Sequence, residues 1–529
     1  MFFILLNSVI DAPKFDKVYV GKRTKIAENH YVLDNNYLKK NEYGIWEMYI
    51  EGNPSERGLI YGELAKELVQ RQEDIFVSQI NQLVPSQFFQ QFLRLFIGFF
   101  NSDLPDYVPL ENQQEIYGIS KSFSDKYNYI APKYTRILNY HAAHDIGHAL
   151  NDYSMVGCTS FALKGDRTED GNLMIGRNFD FYVGDEFAED KLLLFMKPTT
   201  GHAFVSYSWA GFTGVASGLN DQGLSVTINA SKSDLPTGSK MPISLLAREI
   251  LQYASTIEEA LAIAKKRHTF VSETLMIGST KDNKAILIEK SPKKTGVYDS
   301  QENTLICSNH YQSDTFKNTE VNRQNIAESD SKYRYNKVQE LLGKQKTFNP
   351  TSILEVLRNQ YGQNKDTLGM GNPRAINQMI VHHSVVIVPE KSLFYVSTTD
   401  FQLGEFVGYD LKKTIQQKST SIANCLEASP FLETVNYQEF LAFKKTKKRI
   451  SNYLILNQAL NLKDSEIKAF ISNNGESYVT YEMLGKYFMK KSNFDKAGAM
   501  FSKALTKELA SHQVKKELES LLKECKEKK

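Results

Sequence analysis

The chain has 529 residues, 41% of them hydrophobic and 24% charged, enough for two or three domains around sizeable cores. Its 64 basic and 61 acidic residues leave a net charge of +3, and the lysine-rich C-terminal end is the one concentrated block of single sign. This excludes a nucleic-acid footprint and points to small-molecule or protein partners. Cys158, Cys307, Cys425 and Cys525 lie far apart with no CxxC pair, which excludes a disulfide scaffold and a structural zinc site.

The opening residues, MFFILLNSVI, are apolar but lack the basic start and small-residue cleavage site of a signal peptide; they read as the remnant of a clipped signal or as a first strand, and leave the compartment open. From Gly58 onward Leu64, Leu68, Ile75 and Leu83 fall at helical spacings, so the first 150 residues read as mostly helical. Within them, SQFFQQFLRLFIGFF (residues 86–100) is too short to span a bilayer and is broken by Gln90, Gln91 and Arg94. It is expected to be a buried helix or a hydrophobic lid. HAAHDIGHAL sets His141, His144 and His148 on one helical face but lacks the Glu of an HExxH motif, so an amphipathic helix is preferred to a metal site.

At residue 157 the texture changes. CTSFAL, NLMIG, KLLLFM, HAFVSYSW and GLSVTINA are short apolar or alternating runs separated by turn chemistry, the pattern of an antiparallel meander. Helical periodicity returns over residues 242–266. Strand-like TLMIGST, AILIEKS and TLICSNH follow, then a helix at YRYNKVQELL and strands at VHHSVVIVP and SLFYVS. This order predicts an α+β fold. Beyond residue 413 the chain reads as helical, with one tetratricopeptide-like unit over residues 481–505 and a surface open to a protein partner.

A cysteine is a nucleophile only as thiolate and usually borrows a histidine, yet none follows Cys158 until His202. Cutting the Gly157–Cys158 bond would supply another base: a new α-amine, with an ordinary pKa of about 7.7–8.0. Glycine before the cysteine permits the close backbone approach that self-cleavage requires.

GCTSF followed by DGNLMIGRNFDF, then GLNDQGLSVTINA, SNH and SDSKYRYNKVQELL, resembles the N-terminal nucleophile hydrolases, in particular the acyl-coenzyme A:6-aminopenicillanic acid acyltransferase branch (peptidase family C45). Bile salt hydrolases and acid ceramidase-like amidases are more distant relatives. GNPSERGLIYGEL at residues 52–64 resembles the pro-region signature of the same branch, and the likeness covers roughly residues 45 to 400.

The resemblance implies a four-layer αββα sandwich over residues 158–413 and release of the helical pro-region, residues 1–157, as a small subunit that stays associated; the helical texture of the rest predicts an appendage over 414–529. It implies self-cleavage between Gly157 and Cys158, with Cys158 as nucleophile, Asp180 holding the new ammonium and Arg177 stabilising charge near the thiolate. Asn229 and Asn309 would be oxyanion donors, and Arg334 a contact for packing or a substrate carboxylate. It implies amide or thioester acyl chemistry with no resident cofactor; acyl-coenzyme A would enter as a co-substrate. The rivals are a choloylglycine-hydrolase-type amidase acting on an amidated lipid, and a non-catalytic binding protein built on the C-terminal helices.

Overall fold

Alternation along single strands fixes the layers. In Lys191–Pro198, Leu192, Leu194 and Met196 enter one apolar core while Leu193 and Phe195 enter another, as the two-residue period of an extended chain requires. Met174–Phe179 and His383–Val388 split likewise. Ile175, Val385 and Ile387 join Leu193 and Phe195, whereas Met174, Val386 and Val388 face away. Strands that are apolar on both faces must be covered on both. The computed structural model, which describes residues 10–84, 86–150, 157–233 and 238–528, meets that demand with two sheets face to face and helices outside each.

Among the described residues the larger sheet has 11 strands, in the order Thr24–Ala27, His30–Leu33, Asn36–Lys40, Trp46–Gly52, Lys191–Pro198, Phe204–Trp209, Ser217–Asn220, Leu224–Ala230, Glu273–Ser279, Lys284–Lys290 and Thr295–Tyr298. The smaller has 7: Thr304–Cys307, Thr159–Leu163, Met174–Phe179, His383–Val388, Leu393–Ser397, Phe406–Asp410 and Ile422–Leu426. Helices Pro54–Leu64, Leu110–Ser120 and Ile243–Tyr253 cover the outer face of the larger sheet; Ser331–Leu342 and Pro350–Leu357 cover that of the smaller. The result is a four-layer αββα sandwich.

Three expectations need correction. The N-terminal region, expected to be helical, opens with four strands between Thr24 and Gly52, and Trp46–Gly52 joins the larger sheet by running parallel to Lys191–Pro198. Strands this short give little periodic signal beside the long helices that follow, although the two-residue Asp34-Asn35 link, with Asp34 at φ 52°, is hairpin chemistry. The C-terminal region first adds Ile422–Leu426 as an edge strand, because Leu426 completes the outer core of the smaller sheet; its own helices begin at Val435. The aromatic segment is a helix, Gln87–Phe100, but not a buried one. Phe88, Phe92, Phe96 and Phe99 recur on one helical face and are exposed, while Phe100 packs edge-on against Phe270.

The Glu56-Arg57-Gly58 signature has a separate physical role for each residue. Glu56 closes a capping box with Asn53 at the start of Pro54–Leu64. Arg57 donates to Glu115 at 3.0 Å and to Gly52 O at 2.8 Å, and Arg248 from Ile243–Tyr253 reaches the same carboxylate at 3.4 Å; all three side chains are buried. Burial pushes the Glu115 carboxyl up, but Arg248 and Arg57 outweigh it and hold the group below its ordinary range. Gly58 allows the Pro54–Leu64 and Leu110–Ser120 helices to touch, since a Cβ there would lie 2.3 Å from Glu115 O. The N-terminal region is thus bonded to the sandwich through both a strand and an ion triad.

Helices Val435–Leu456, Asp464–Asn473, Tyr478–Lys490, Phe494–Ala504 and His512–Glu527 form a further apolar core, into which Met379, Phe401 and Leu403 of the sandwich insert. Among the described residues, no helix is long and apolar enough to cross a membrane.

Replacing Glu115 by Ala leaves two buried guanidiniums without their carboxylate, and the expected loss is about 3–5 kcal/mol in chemical denaturation. Removing the exposed Lys22–Glu63 pair with Lys22→Ala is expected to change stability by about 1 kcal/mol at most.

Candidate active site

Strand register gathers the residues singled out in the sequence. Thr159–Leu163 and Met174–Phe179 form an antiparallel pair in which Ser160 lies opposite Arg177, so Cys158, just before the first strand, and Asp180, just after the second, meet at one end. On the other side of the first strand Cys307 lies opposite Ser160, which brings Asn309 to the same end. Asn229 arrives from the facing sheet. Its Oδ1 accepts from Ser160 Oγ at 2.8 Å, and its Nδ2 donates to Cys307 O and Ser308 O at 3.4 and 3.5 Å.

Cys158 is buried, and its Sγ accepts from Arg177 Nη2 at 3.8 Å. The Arg177 guanidinium is oriented by Ser217 Oγ at 2.6 Å, by Ile228 O, and by the ring of Phe179, 4.3 Å from the centroid. Burial pushes the Cys158 thiol up to about 11; Arg177 pulls it down, while Asp180 and Glu273 push it further up. In the intact chain the sulfur is a protonated thiol near neutral pH.

The bond expected to break is held on both sides. Gly157 N donates to Asp180 O at 3.1 Å, Gly157 O accepts from Gln378 Nε2 at 2.6 Å, and Cys158 O accepts from Arg334 Nη1 at 2.7 Å. Gln378 Nε2 also lies 3.4 Å from Asp180 Oδ2. Burial raises the Asp180 carboxyl to about 8, against the pull of Arg334 and Arg177, so it is mostly protonated at neutral pH. The terminal nitrogens of Arg334 are occupied: Nη1 also donates to Thr159 Oγ1 at 3.0 Å, and Nη2 to Asn309 Oδ1 at 2.6 Å and Asp330 at 2.9 Å. This guanidinium holds the backbone at Cys158. Asn309 Nδ2 donates to Ala230 O at 2.9 Å.

Past Asp180 the chain enters an aromatic wall in which Phe181 stacks on Trp209 and Trp209 on Phe212, with centroids 5.8 and 4.3 Å apart. Phe76, Phe123 and Tyr140 of the N-terminal region face it across a cleft. His141 also borders the cleft. Its Nδ1 donates to Ile137 O at 2.8 Å, its Nε2 accepts from Thr213 N at 3.0 Å, and burial lowers it to about 4, which leaves the ring neutral. The side chains of His144 and His148 lie outside the described residues, among which no cluster of metal-ligating groups occurs.

Residues 167–368 match the family model described as acyl-coenzyme A:6-aminopenicillanic acid acyl-transferase, a span that contains Arg177, Asp180, Asn229, Asn309 and Arg334 and begins after Cys158. That stretch of the chain is similar to this family. An uncharacterized protein of Archaeoglobus fulgidus is 28% identical to the chain over 259 residues, 46% of this chain and 43% of that one. The N-acylethanolamine-hydrolyzing acid amidase of Caenorhabditis elegans is 23% identical over 208 residues, 38% of this chain and 56% of that one. The chain spans about half the length of the curated relatives it matches. A crystal structure of a variant conjugated bile acid hydrolase from Clostridium perfringens is 15% identical, with a TM-score of 0.34 over 51% of this chain and 98% of that one.

Around Cys158 stand residues that the sequence did not reveal. Gln378 lies in an irregular loop with no motif, and Ser217 and His383 sit in strands whose apolar pattern speaks only of the core. His383 Nε2 is 3.0 Å from Ser217 Oγ and 3.5 Å from Arg177 Nη1, so it accepts there, and its Nδ1–H faces His382 Nδ1 at 2.9 Å. Burial holds both imidazoles far below their ordinary range, and both are neutral. Glu273, completely buried, adds a negative field at Cys158 and Arg177.

Because the folded pKa of Asp180 lies above its unfolded value, its contribution to stability is complete below about pH 3.8 and is lost as pH rises to about 8. Thermal denaturation of the Cys158→Ala chain with and without Asp180→Asn is expected to show the Asn chain gaining relative stability from pH 4 to 8 and no further above it.

Proposed function

We propose that this chain is a self-cleaving N-terminal cysteine amidohydrolase or acyltransferase, which cuts itself between Gly157 and Cys158 and then breaks or makes carbon-nitrogen amide bonds through an acyl-enzyme on Cys158. The observation that carries the reading is the buried junction. A glycine carbonyl, a cysteine thiol facing Arg177 and the protonated Asp180 carboxyl meet where solvent does not reach. A thiol raised to about 11 is suited to a precursor; once the bond opens, the new α-amine, ordinarily near 7.7–8.0, becomes the base that the buried site lacks.

In the mature enzyme the amine takes the Cys158 proton as sulfur attacks the substrate carbonyl, and later returns it to the leaving amine. Asp180, ionised beside the new ammonium, holds that charge, and Arg177 balances the thiolate. The long hydrogen bonds of Asn229 Nδ2 leave it available to a developing oxyanion, with Asn309 as its neighbour. The acyl-enzyme is resolved by water in hydrolysis or by an amine in transfer. No resident cofactor enters this chemistry; a thioester such as acyl-coenzyme A would act as acyl donor.

The aromatic cleft supports an apolar acyl group, bound between Trp209 and Phe181 on one side and Phe76 on the other. Since pro-region residues form half of that cleft, the released segment must stay in place, and the shared sheet and the Arg57–Glu115–Arg248 triad support its retention. The helices Tyr478–Lys490 and Phe494–Ala504, packed through Gly485 against Phe501, form the tetratricopeptide-like unit of this reading.

Hydrolysis of a series of N-acyl amides of increasing chain length tests the reading. Wild type is expected to turn over the apolar members with kcat/KM rising through the α-amine range of pH, and Cys158→Ala to lose about 10⁴-fold or more. Trp209→Ala is expected to lower kcat/KM for the longest acyl chain by roughly 10- to 200-fold and to affect the shortest far less. Absence of turnover across the series by a cut, folded wild type would count against the amidase reading.

A further inference from the structure

The Gly157 carbonyl receives its hydrogen bond from a residue outside every motif in the sequence. Gln378 is buried, and its Nε2 stands 2.6 Å from Gly157 O and 3.4 Å from Asp180 Oδ2. Both partners offer oxygen, so the NH₂ end of the amide is the end that faces them. A Cβ on Gly157 would lie 2.4 Å from that nitrogen, so glycine is what permits the contact.

Gln378 sits in the stretch between the Pro350–Leu357 helix and the His383–Val388 strand, and the C-terminal helices grip this stretch at several points. Asn474 both donates to and accepts from the backbone of Met370, at 2.8 and 3.0 Å. Asn372 Nδ2 donates to Glu508 O at 2.9 Å, and Arg374 donates to the Glu508 carboxylate and to Ala510 O. Met379, adjacent to Gln378, takes a left-handed backbone with φ 55° and is buried in the core of the C-terminal helices. A non-glycine residue adopts that conformation at a cost, and the burial of Met379 offsets it.

Resting on the self-cleavage reading above, we propose that Gln378 is the oxyanion donor of that cleavage and that the C-terminal helices are a built-in brace that positions it. Cys158 Sγ attacks the Gly157 carbonyl carbon. Negative charge develops on Gly157 O and is met by Gln378 Nε2–H. The carbon-nitrogen bond to Cys158 then breaks, and the thiol proton ends on the departing nitrogen. The thioester so formed between Gly157 and Cys158 Sγ is opened by water, giving a Gly157 carboxylate and a free thiol beside a free amine. A donor already in contact with the ground-state carbonyl needs no reorganisation when charge appears. The same helices therefore control whether the enzyme matures.

The test is the first-order rate of cleavage of the full-length chain, synthesised in a cell-free system and followed by intact mass, with melting temperature recorded for each variant. Gln378→Leu keeps the volume but not the donor and is expected to slow cleavage by about 10²–10³-fold. Gln378→Glu is expected to cleave slowly at pH 8 and to recover relative to wild type as the pH falls, because a protonated carboxyl donates again. Glu508→Ala is expected to slow maturation by about tenfold, with Glu508→Gln, which keeps an acceptor for Arg374, restoring most of it, and both matured chains turning over amide like wild type. Gln378→Leu or Gln378→Glu cleaving at the wild-type rate at every pH, or Glu508→Ala maturing as fast as wild type, would overturn the proposal and leave the self-cleavage reading intact. A folded wild type that stays whole would overturn both.

Discussion

The structure turns on a single peptide bond kept out of water. Three backbone polar groups at the Gly157–Cys158 junction have partners: Asp180 O for the Gly157 amide, Gln378 for its carbonyl, and Arg334 for the carbonyl of Cys158. Burial at this point leaves the thiol protonated and the Asp180 carboxyl mostly so near neutral pH, despite two arginines close by. The sheets, the guanidiniums of Arg177 and Arg334 and the loop of Gln378 have in common that each fixes one side of that bond. On the proposed self-cleavage reading, preorganisation of this kind is what would let a weak nucleophile act within its own chain.

The N-terminal region is an integral part of the fold. A segment that enters the larger sheet through Trp46–Gly52 and shares a buried carboxylate with the Ile243–Tyr253 helix cannot depart without exposing both. It also supplies Phe76, Phe123 and Tyr140 to the cleft beside Asp180. In the proposed self-cleavage, cutting the chain in that setting would free an amine while the shared sheet holds the two parts together.

Legibility in the sequence followed the range of the interaction. Strands of the sandwich were readable because turn residues punctuate alternating runs such as KLLLFM, and Cys158, Arg177 and Asp180 because one hairpin holds them. The strands before Gly52 were hidden by their brevity, and Ile422–Leu426 by the helical texture around it. Exposure of Phe88, Phe92, Phe96 and Phe99 follows from which face of a helix meets the protein, which composition does not state. Gln378, Ser217 and His383 reach the site only through long-range packing: a glutamine in a loop has no local pattern that separates it from a surface residue, and its meaning appears when the loop is folded against Gly157.

The central claim is that Cys158 is placed to become an N-terminus, and intact mass of the purified chain tests it most directly. Self-cleavage divides the 60.3 kDa chain into fragments of about 18 and 42 kDa, the larger beginning with Cys158, and leaves Cys158→Ala whole. A folded, active wild type that stays at 60.3 kDa would contradict the account.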